Sequence, residues 1–369
     1  MARSPNLIRV GIVGLNATRG WAAQSHVPAL RAVAGYELRA ACASTPASAA
    51  AAAEAHDVPV ACADLEELVE REDVDLIVVT TRVPDHFRPV ASALEAGKAV
   101  FCEWPLGNGL AEALKLAELA RTRGLRTAIG LQARSAPPIR YVADLVSEGY
   151  VGEVLSTTLI GSGMAWGGEV AEPQGRYLVD RTNGATMLTI TVGHALDALA
   201  AIFGEPEQLR PTLATRRDHV LDRKNGELIA MTAADQVALT GRLGNGGVFA
   251  LHYRGGISRG TNLHWEINGS EGDLLLTSPN GQLQFGQLSI QGARGETTEL
   301  EPLPLPDSYE SLKEFASGPQ VPAIAVAHAY LRLRDEFDLS GTGQVPDFDH
   351  AVRRHETIDA IIHGSDCGL

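Results

Sequence analysis

The sequence is poor in the residues from which metal sites and disulfide frameworks are built. Its 369 residues include four cysteines, which form no CxxC pair: Cys42, Cys62, Cys102 and Cys367. Their wide spacing predicts buried or partly buried thiols in a reducing compartment. His219, His252 and His264 also lack the spacing of metal ligands, so we predict no catalytic metal.

Positive charge is scarce as well. The chain has 31 Lys and Arg against 45 Asp and Glu, which gives a formal net charge of −14. Nucleic-acid phosphates require clustered Lys and Arg, so this balance argues against a nucleic-acid partner and against an anionic membrane surface. It does not exclude a phosphorylated ligand, because helix N-termini and loop amides bind phosphate without net positive charge.

Long apolar runs are also missing. No run reaches the roughly 18 residues needed to span a bilayer, and Met1–Asn6 lacks the apolar core of a signal peptide. We therefore expect a cytoplasmic protein. The length suggests two domains.

Short apolar strands alternate with helices through the first third of the chain. The predicted strands are Ile8–Gly14, Tyr36–Ala43, Asp75–Thr80, Ala99–Cys102 and Thr127–Gly130. The predicted helices are Ala22–Ala34, Pro46–His56, Leu65–Glu70, Asp85–Ala96 and Leu110–Arg123. This alternation predicts a parallel sheet covered on both faces, a doubly wound Rossmann α/β domain over residues 1–132.

The pattern changes after Pro137-Pro138. One more helix, Ile139–Glu148, precedes longer strands that follow one another directly: Glu153–Gly161, Asp235–Leu243, Gly247–Tyr253 and Asn262–Asn268. Asn245-Gly246 and Asn280-Gly281 are hairpin signals, and helices are predicted over Thr189–Phe203, Val321–Asp338 and Phe348–Ile362. Residues 133–369 are therefore expected to form an α+β domain with a large, mostly antiparallel open sheet.

The loop after the first strand resembles a degraded phosphate-binding loop. A dinucleotide fingerprint has the form Gly-x-Gly-x-x-Gly at this place. Here Gly14 is present, Asn16 stands at the second Gly and tolerates a positive φ, and Gly20 comes one residue late. Its place in a βαβ unit favours a dinucleotide site over a purely structural turn, with these expected contacts: Gly14, Leu15, Asn16, Thr18 and Trp21.

The end of the second strand leaves the choice between NAD and NADP open. An acid usually binds the adenosine ribose of NAD there, but the sequence has Cys42-Ala43-Ser44-Thr45. The hydroxyls of Ser44 and Thr45 suit a 2′-phosphate, which tips the expectation toward NADP. Arg82 is either the cation for that phosphate or a solvated surface residue.

Five segments carry a family pattern. They are Thr80-Thr81-Arg82-Val83-Pro84-Asp85-His86, Glu95-Ala96-Gly97-Lys98 through Glu103-Trp104-Pro105-Leu106, Gly193-His194-Ala195-Leu196-Asp197, Phe203-Gly204-Glu205-Pro206, and Phe348-Asp349 through Ala360. In order and spacing they resemble the glucose–fructose oxidoreductase/inositol dehydrogenase/MocA (Gfo/Idh/MocA) family along nearly the whole chain. The resemblance implies NAD or NADP as cofactor, a carbohydrate-like substrate, and a homodimer or homotetramer joined through the C-terminal sheet.

Two departures from that pattern concern catalysis. Trp104 replaces the family's catalytic Lys, and Ile190 replaces the Asp four residues before His194. These replacements resemble the branch that includes the fungal galactose-pathway repressor, a co-regulator that binds the nucleotide and is not known for turnover. The Ala- and Arg-rich, Lys-poor composition argues against a fungal galactose switch.

His194 is the candidate general base, since imidazole titrates near neutral pH. Asp197 shares its helix face three residues on, where it would hold the imidazole tautomer or bind a substrate hydroxyl. The alternative for His194 is a packed core histidine.

The remaining candidates are assigned by their place after the strands. Trp21 and Trp104 are expected to stack on the nicotinamide or a sugar, unless they are core aromatics. Glu103 is expected at the nicotinamide ribose, with a solvated strand-end carboxylate as the alternative. Further expected cofactor contacts are Thr80, Thr81, His86 and Gln132, and further expected substrate contacts are Arg134, Tyr177, Asp180 and His194.

Three functions are compatible with these residues. The first is an NAD(P)-dependent oxidoreductase that transfers hydride between nicotinamide and a sugar, polyol or related compound. The second is a non-catalytic NAD(P)-binding sensor or co-regulator, suggested by the missing Lys. The third is a lyase, hydrolase or epimerase that uses bound NAD transiently.

Overall fold

The chain folds into two compact units. The computed structural model describes residues 7–171, 173–285, 288–312, 321–338 and 345–366, so Met1–Asn6 and Cys367 lie outside the described residues. The first unit comprises Met1–Gln132 and Leu312–Glu356, and the second comprises Ala133–Ser311 and Thr357–Leu369. The first unit thus breaks after Gln132 and also takes in the segment 312–356, which the sequence analysis placed with residues 133–369.

The first unit is a Rossmann fold. Its six strands are all parallel, in the order β3-β2-β1-β4-β5-β6. They are β1 (Ile8–Val13), β2 (Tyr36–Cys42), β3 (Val60–Cys62), β4 (Leu76–Val79), β5 (Ala99–Glu103) and β6 (Thr127–Gly130). The helical elements are a π-helical turn (Ala22–His26), α1 (Val27–Ala32), α2 (Pro46–Ala55), α3 (Leu65–Glu70), α4 (Phe87–Glu95) and α5 (Leu110–Arg123). The predicted doubly wound sheet is confirmed, and the short β3 is added at its edge.

The described parts of the segment 312–356 complete the core of this unit. The buried side chains of α9 (Val321–Asp338), among them Val326, Tyr330 and Leu333, join the cluster that contains Val10 and Phe101. At the edge strand β6, Ile129 N donates to Pro346 O at 2.8 Å. The apolar pattern predicted this helix, but could not reveal that it packs on strands from the first third of the chain.

The second unit is built on an eight-stranded sheet with the order β17-β16-β15-β14-β7-β13-β12-β9. Its pairs are antiparallel apart from β7 with β13, as the predicted open sheet requires. The strands are β7 (Val154–Gly163), β9 (Glu207–Ala214), β12 (Gln236–Arg242), β13 (Val248–Gly255), β14 (Leu263–Gly269), β15 (Gly272–Ser278), β16 (Ser289–Arg294) and β17 (Glu301–Pro302). A second, three-stranded sheet contains β8 (Glu169–Val170), β10 (His219–Asp222) and β11 (Leu228–Ala230).

Alternation along these strands separates a buried from an outward face. In β13, Phe249, Leu251 and Tyr253 are buried while the residues between them are not. The helical elements of this unit are α6 (Pro137–Ser147), α7 (Pro173–Val179), a π-helical turn (Leu188–Val192) and α8 (Gly193–Phe203), while α10 spans Phe348–Asp366. Phe203 at the end of α8 packs edge-on against the fully buried Trp265 of β14, with 6.5 Å between ring centroids.

The two predicted hairpin signals have different outcomes. Asn245-Gly246 does connect β12 to β13, with Gly246 at φ +92° and Gly246 N donating to Leu243 O at 2.9 Å. Asn280-Gly281 instead opens a longer connection between β15 and β16. A Cβ at Gly281 would lie 2.1 Å from Ser162 O, so the glycine there permits a close backbone approach.

Two further properties follow from the described ranges. None of the helices placed there is both long and apolar enough to cross a membrane. Nor do three His, Cys, Asp or Glu side chains in those ranges gather closely enough to hold a metal ion.

The Trp265 contact predicts a large stability effect. Trp265 is fully buried and its Nε1 donates to Thr157 Oγ1 at 2.8 Å. Trp265→Phe removes this bond and leaves a void, so we expect the free energy of unfolding to fall by about 2–3 kcal/mol. Urea denaturation measures it. Leu228→Ala, at a side chain that is 70% exposed, is the control, with an expected change below about 0.5 kcal/mol.

Candidate cofactor and substrate residues

The loop after β1 has the backbone of a close-approach turn. Gly14 adopts φ +95°, and a Cβ there would lie 3.1 Å from both Thr80 Oγ1 and Thr81 Cγ2. Thr80 Oγ1 in turn donates to Val13 O at 2.9 Å. The three predicted residues Gly14, Thr80 and Thr81 therefore meet where β1 and β4 end, the point at which dinucleotides bind in this topology.

Asn16 acts differently from the sequence-based expectation. It does not adopt a positive φ. Its Oδ1 instead accepts from Thr18 N at 3.1 Å and Arg19 N at 3.2 Å, and His56 Nε2 lies 2.9 Å from Asn16 O. Asn16 thus shapes the loop through its side chain, as in an Asx turn.

The other residues of this loop divide into buried and open ones. The Leu15 side chain is buried in the core and Trp21 packs partly against it. Thr18 is exposed. Gly20 adopts φ +90°, and a Cβ there would meet nothing within 4 Å, so space is open beside the loop.

The end of β2 has polar groups that already serve the fold. Thr45 Oγ1 caps α2 by accepting from Ser48 N at 3.1 Å, and Ser44 is exposed. Arg82 forms an ion pair with Asp85 at 3.3 Å.

The charge around this end of β2 is negative. Burial raises the pKa of Cys42, and the nearby carboxylates of Asp64, Glu66 and Glu67 raise it further. Such a field disfavours additional negative charge at this edge.

His86 connects two loops of the first unit. Its Nδ1 lies 2.7 Å from Pro105 O and its Nε2 lies 2.9 Å from Thr81 O. The ring is buried, and burial lowers the pKa of His86 against the opposing effect of the two carbonyls. Of the predicted cofactor contacts, His86 is therefore placed to act through the backbone of these loops.

Glu103 ends β5 and is held by polar neighbours. His26 Nε2 lies 3.0 Å from Glu103 Oε1, and Gln132 Nε2 donates to Oε2 at 3.4 Å. The structure thus brings together the predicted Glu103 and Gln132. It adds His26, which was not a candidate in the sequence analysis. The feature that could have identified it is a polar residue inside the apolar pattern of the first helix.

Trp104 is buried and packs on a second histidine that sequence reasoning did not assign. Its ring lies 4.7 Å from that of His355, at an interplanar angle of 52°. Burial lowers the pKa of His355 to about 4, so the ring is neutral at pH 7. Trp104 and His355 therefore form an uncharged aromatic pair at the end of β5.

In the second unit, the predicted Arg134 and Asp197 meet. Arg134 Nε lies 2.9 Å from Asp197 Oδ2, and the carboxylate is fully buried. His194, also buried, lies one turn earlier on α8. The π-helical turn that contains Ile190 leads into this helix, and such turns are frequent at functional sites.

Tyr177 and Asp180 lie in another segment of this unit. Asp180 caps a short turn by accepting from Thr182 N at 2.9 Å, and this bond is the main cause that lowers the pKa of its carboxyl. Tyr177 belongs to α7, and its backbone carbonyl accepts from Asn183 Nδ2 at 2.9 Å.

Two sequence families match the chain. Residues 8–131 match an oxidoreductase family with an NAD-binding Rossmann fold. Residues 137–278 match the C-terminal domain of Gal80p.

Similar proteins include a regulator and a dehydrogenase. The galactose/lactose metabolism regulatory protein GAL80 of Saccharomyces cerevisiae is 29% identical over 84% of this chain and 76% of its own length. Dehydrogenase aclE of Aspergillus oryzae is 28% identical over 98% of this chain and 97% of its own. A crystal structure of a super-repressor mutant of Gal80p from S. cerevisiae has the same fold, with a TM-score of 0.87 at 24% identity over 98% of this chain and 97% of that one.

The buried His355 predicts an acid-sensitive first unit. Its pKa is lowered from 6.5 to about 4, so between these values the unfolded chain takes up a proton that the folded chain does not. Stability therefore falls as pH drops through this window, by about 3 kcal/mol at most, and this loss stops below pH 4. Urea denaturation at several pH values measures it.

We expect His355→Gln to flatten this part of the pH profile. His219→Gln, at an exposed ring, is the matched control and should leave the profile unchanged. An unaltered slope in His355→Gln would show that the His355 ring is not the group that titrates there.

Proposed function

Because the chain belongs to the Gfo/Idh/MocA family and carries a C-terminal domain of the Gal80 type, we propose that it is a nicotinamide-dependent oxidoreductase. It would transfer hydride between the cofactor and a hydroxyl or carbonyl group of a sugar, polyol or related small molecule. The family match supports an NAD-binding Rossmann fold, and a dehydrogenase is among the relatives that align along nearly the full chain.

The residues of the first unit fit a dinucleotide. The turn at Gly14 leaves no room for a side chain, and the space beside Gly20 is open. The expected contacts are those of the β1, β4 and β5 ends: Gly14, Leu15, Asn16, Thr18, Trp21, Thr80, Thr81, Glu103, Trp104 and Gln132. When bound, the nicotinamide ring accepts or donates the hydride.

We propose NAD(H) as the preferred cofactor, which reverses the expectation from the sequence. The Thr45 hydroxyl caps a helix and Arg82 is paired with Asp85. The carboxylates of Asp64 and Glu67 add negative charge near the end of β2, while that of Glu66 is paired with Arg88 at 2.5 Å. A 2′-phosphate would meet repulsion there instead of a free cation.

His194 is the proposed general base. During oxidation it takes the hydroxyl proton of the substrate on its imidazole, and it returns that proton during reduction. Trp104 cannot supply a proton to an alkoxide, so the acid–base role of the family's Lys passes to His194. Arg134 neutralises Asp197 on the same helix face and orients it toward substrate hydroxyls. Tyr177, Asp180 and Trp104 are further proposed substrate contacts.

One observation carries this proposal: His194 and Asp197 are both buried one turn apart on α8, and Asp197 is paired with Arg134, whose side chain is 17% exposed. Burying ionisable groups is unfavourable unless they are paired. A cluster of this kind is a common property of acid–base sites, and cofactor binding alone does not require it.

A non-catalytic sensor is the second candidate. It is favoured by the apolar Trp104–His355 pair at the position of the family's Lys and by the similarity to GAL80. Such a protein would bind the cofactor without turnover and would engage a protein partner.

We also propose that copies of the chain assemble through the outward face of the eight-stranded sheet. Val248 of β13, which is 53% exposed and precedes the buried Phe249, lies on this face. Light scattering would then give the mass of a dimer or tetramer.

Fluorescence titration tests the cofactor site. Trp21 and Trp104 are proposed contacts of the cofactor, so we expect saturable quenching by NADH and weaker binding of NADPH. Tighter binding of NADPH would contradict the charge argument. Failure of the folded protein to bind either would contradict both the oxidoreductase and the sensor.

His194→Ala tests the mechanism. We expect kcat with NAD and a panel of aldoses and polyols to fall by about 10²–10⁴-fold, while the Kd for NADH is unchanged. His219→Ala, at an exposed ring, serves as the control. Full activity in His194→Ala would exclude it as the base, and cofactor binding without turnover by the native protein would favour the sensor.

A further inference from the structure

A chain of hydrogen bonds leads from the core of the first unit to the Glu103 carboxylate. Tyr330 Oη lies 2.7 Å from His26 Nδ1, and His26 Nε2 lies 3.0 Å from Glu103 Oε1. The His26 and Tyr330 side chains are fully buried. The chain joins residues that are 304 positions apart in sequence.

The donors and acceptors in this chain of hydrogen bonds can be assigned. Burial raises the pKa of Tyr330 well above its usual value, so the phenol keeps its proton and can donate it to His26 Nδ1. The ring proton is then on Nε2, which faces a carboxylate oxygen. The opposite tautomer would set a lone pair against that oxygen, so Nε2–H donates to Glu103 Oε1.

The carboxylate is confined on its other sides as well. Gln132 Nε2 donates to Oε2 at 3.4 Å. A Cβ at Gly130 would lie 2.4 Å from Glu103 Oε1 and 2.8 Å from the Glu103 carboxyl carbon. Any side chain at position 130 would therefore displace the carboxylate. The Glu103 side chain is nevertheless 13% exposed, which leaves part of it open to a ligand.

The position of Glu103 indicates which hydrogen-bonding groups that ligand carries. It ends β5, and ligands of parallel sheets bind at the carboxyl ends of strands. A carboxylate has about four acceptor sites, of which His26 and Gln132 use two. The remaining sites match the hydroxyl donors of a ribose or a polyol.

We propose that His26 and Tyr330 are positioning residues that hold the Glu103 carboxylate as acceptor for a hydroxyl of the ribose next to the nicotinamide. The inference rests on the NAD(H) site proposed above. Neither residue touches the ligand: each acts through the next member of the chain. The π-helical turn Ala22–His26 supplies the middle member of this hydrogen-bond chain, while α9 supplies Tyr330 at one end and β5 supplies Glu103 at the other.

Two substitutions disturb the chain without removing the carboxylate. Tyr330→Phe deletes only the hydroxyl and keeps the ring stacked on Phe101 at 5.1 Å. Gly130→Ala displaces the carboxylate. Tyr36→Phe is the matched control, because it also removes only a hydroxyl, and that hydroxyl donates to the Tyr330 backbone carbonyl at 2.9 Å.

Affinities for NADH and ADP are then compared, since ADP lacks the second ribose. We expect Tyr330→Phe and Gly130→Ala to raise the Kd for NADH on the order of fivefold or more, with the Kd for ADP unchanged. Tyr36→Phe should leave both unchanged. In a Glu103→Ala background, Gly130→Ala should cause no further loss.

Other outcomes overturn the inference in distinct ways. Unchanged NADH affinity in both variants, or an equal loss for NADH and ADP, would show that these hydrogen bonds have a purely structural role. A rise confined to the KM of a polyol substrate would move the hydroxyl from the cofactor to the substrate and overturn the assignment to the ribose. Failure of the native protein to bind NADH and ADP at all would remove the proposed function itself.

Discussion

The parallel sheet of the first unit has to be covered on both faces, and the rest of this unit depends on how that is achieved. The amino-terminal helices are supplemented by α9, whose buried residues share one cluster with β1, the π-helical turn, α1 and β5. The backbone near Pro346 also bonds to the edge strand β6. Burial of apolar area is the dominant favourable term in folding, so this return of the chain is part of the core.

That packing brings polar groups along with the apolar ones. Tyr330 enters the core on α9 and meets His26, which in turn meets Glu103. Buried polar groups are tolerated only when they are hydrogen-bonded. The same contacts that satisfy them also orient a carboxylate at the end of β5, so one arrangement serves both stability and the proposed site.

Charge is distributed differently in the two units. Trp104 and the neutral His355 form an uncharged aromatic pair in the first unit. In the second unit Arg134 pairs with the fully buried Asp197, and His194 lies one turn from Asp197 on α8. The residues proposed for proton transfer, His194 and Asp197, thus both lie on α8. An oxidoreductase of this fold would use the α8 residues for proton transfer, whereas a non-catalytic sensor would not.

Both architectures could be predicted from the sequence, because strand and helix periodicities and glycine turns are local properties. It also identified the first loop, Glu103, Gln132, Arg134, His194 and Asp197 as candidates through their place after strands or in a helix. Tertiary structure decided which of these meet: Asn16 caps its own loop, Arg134 pairs with Asp197, and Thr45 caps α2. His26, Tyr330 and His355 could not be assigned from the pattern, since periodicity shows which side chains are buried but not which distant polar groups face one another.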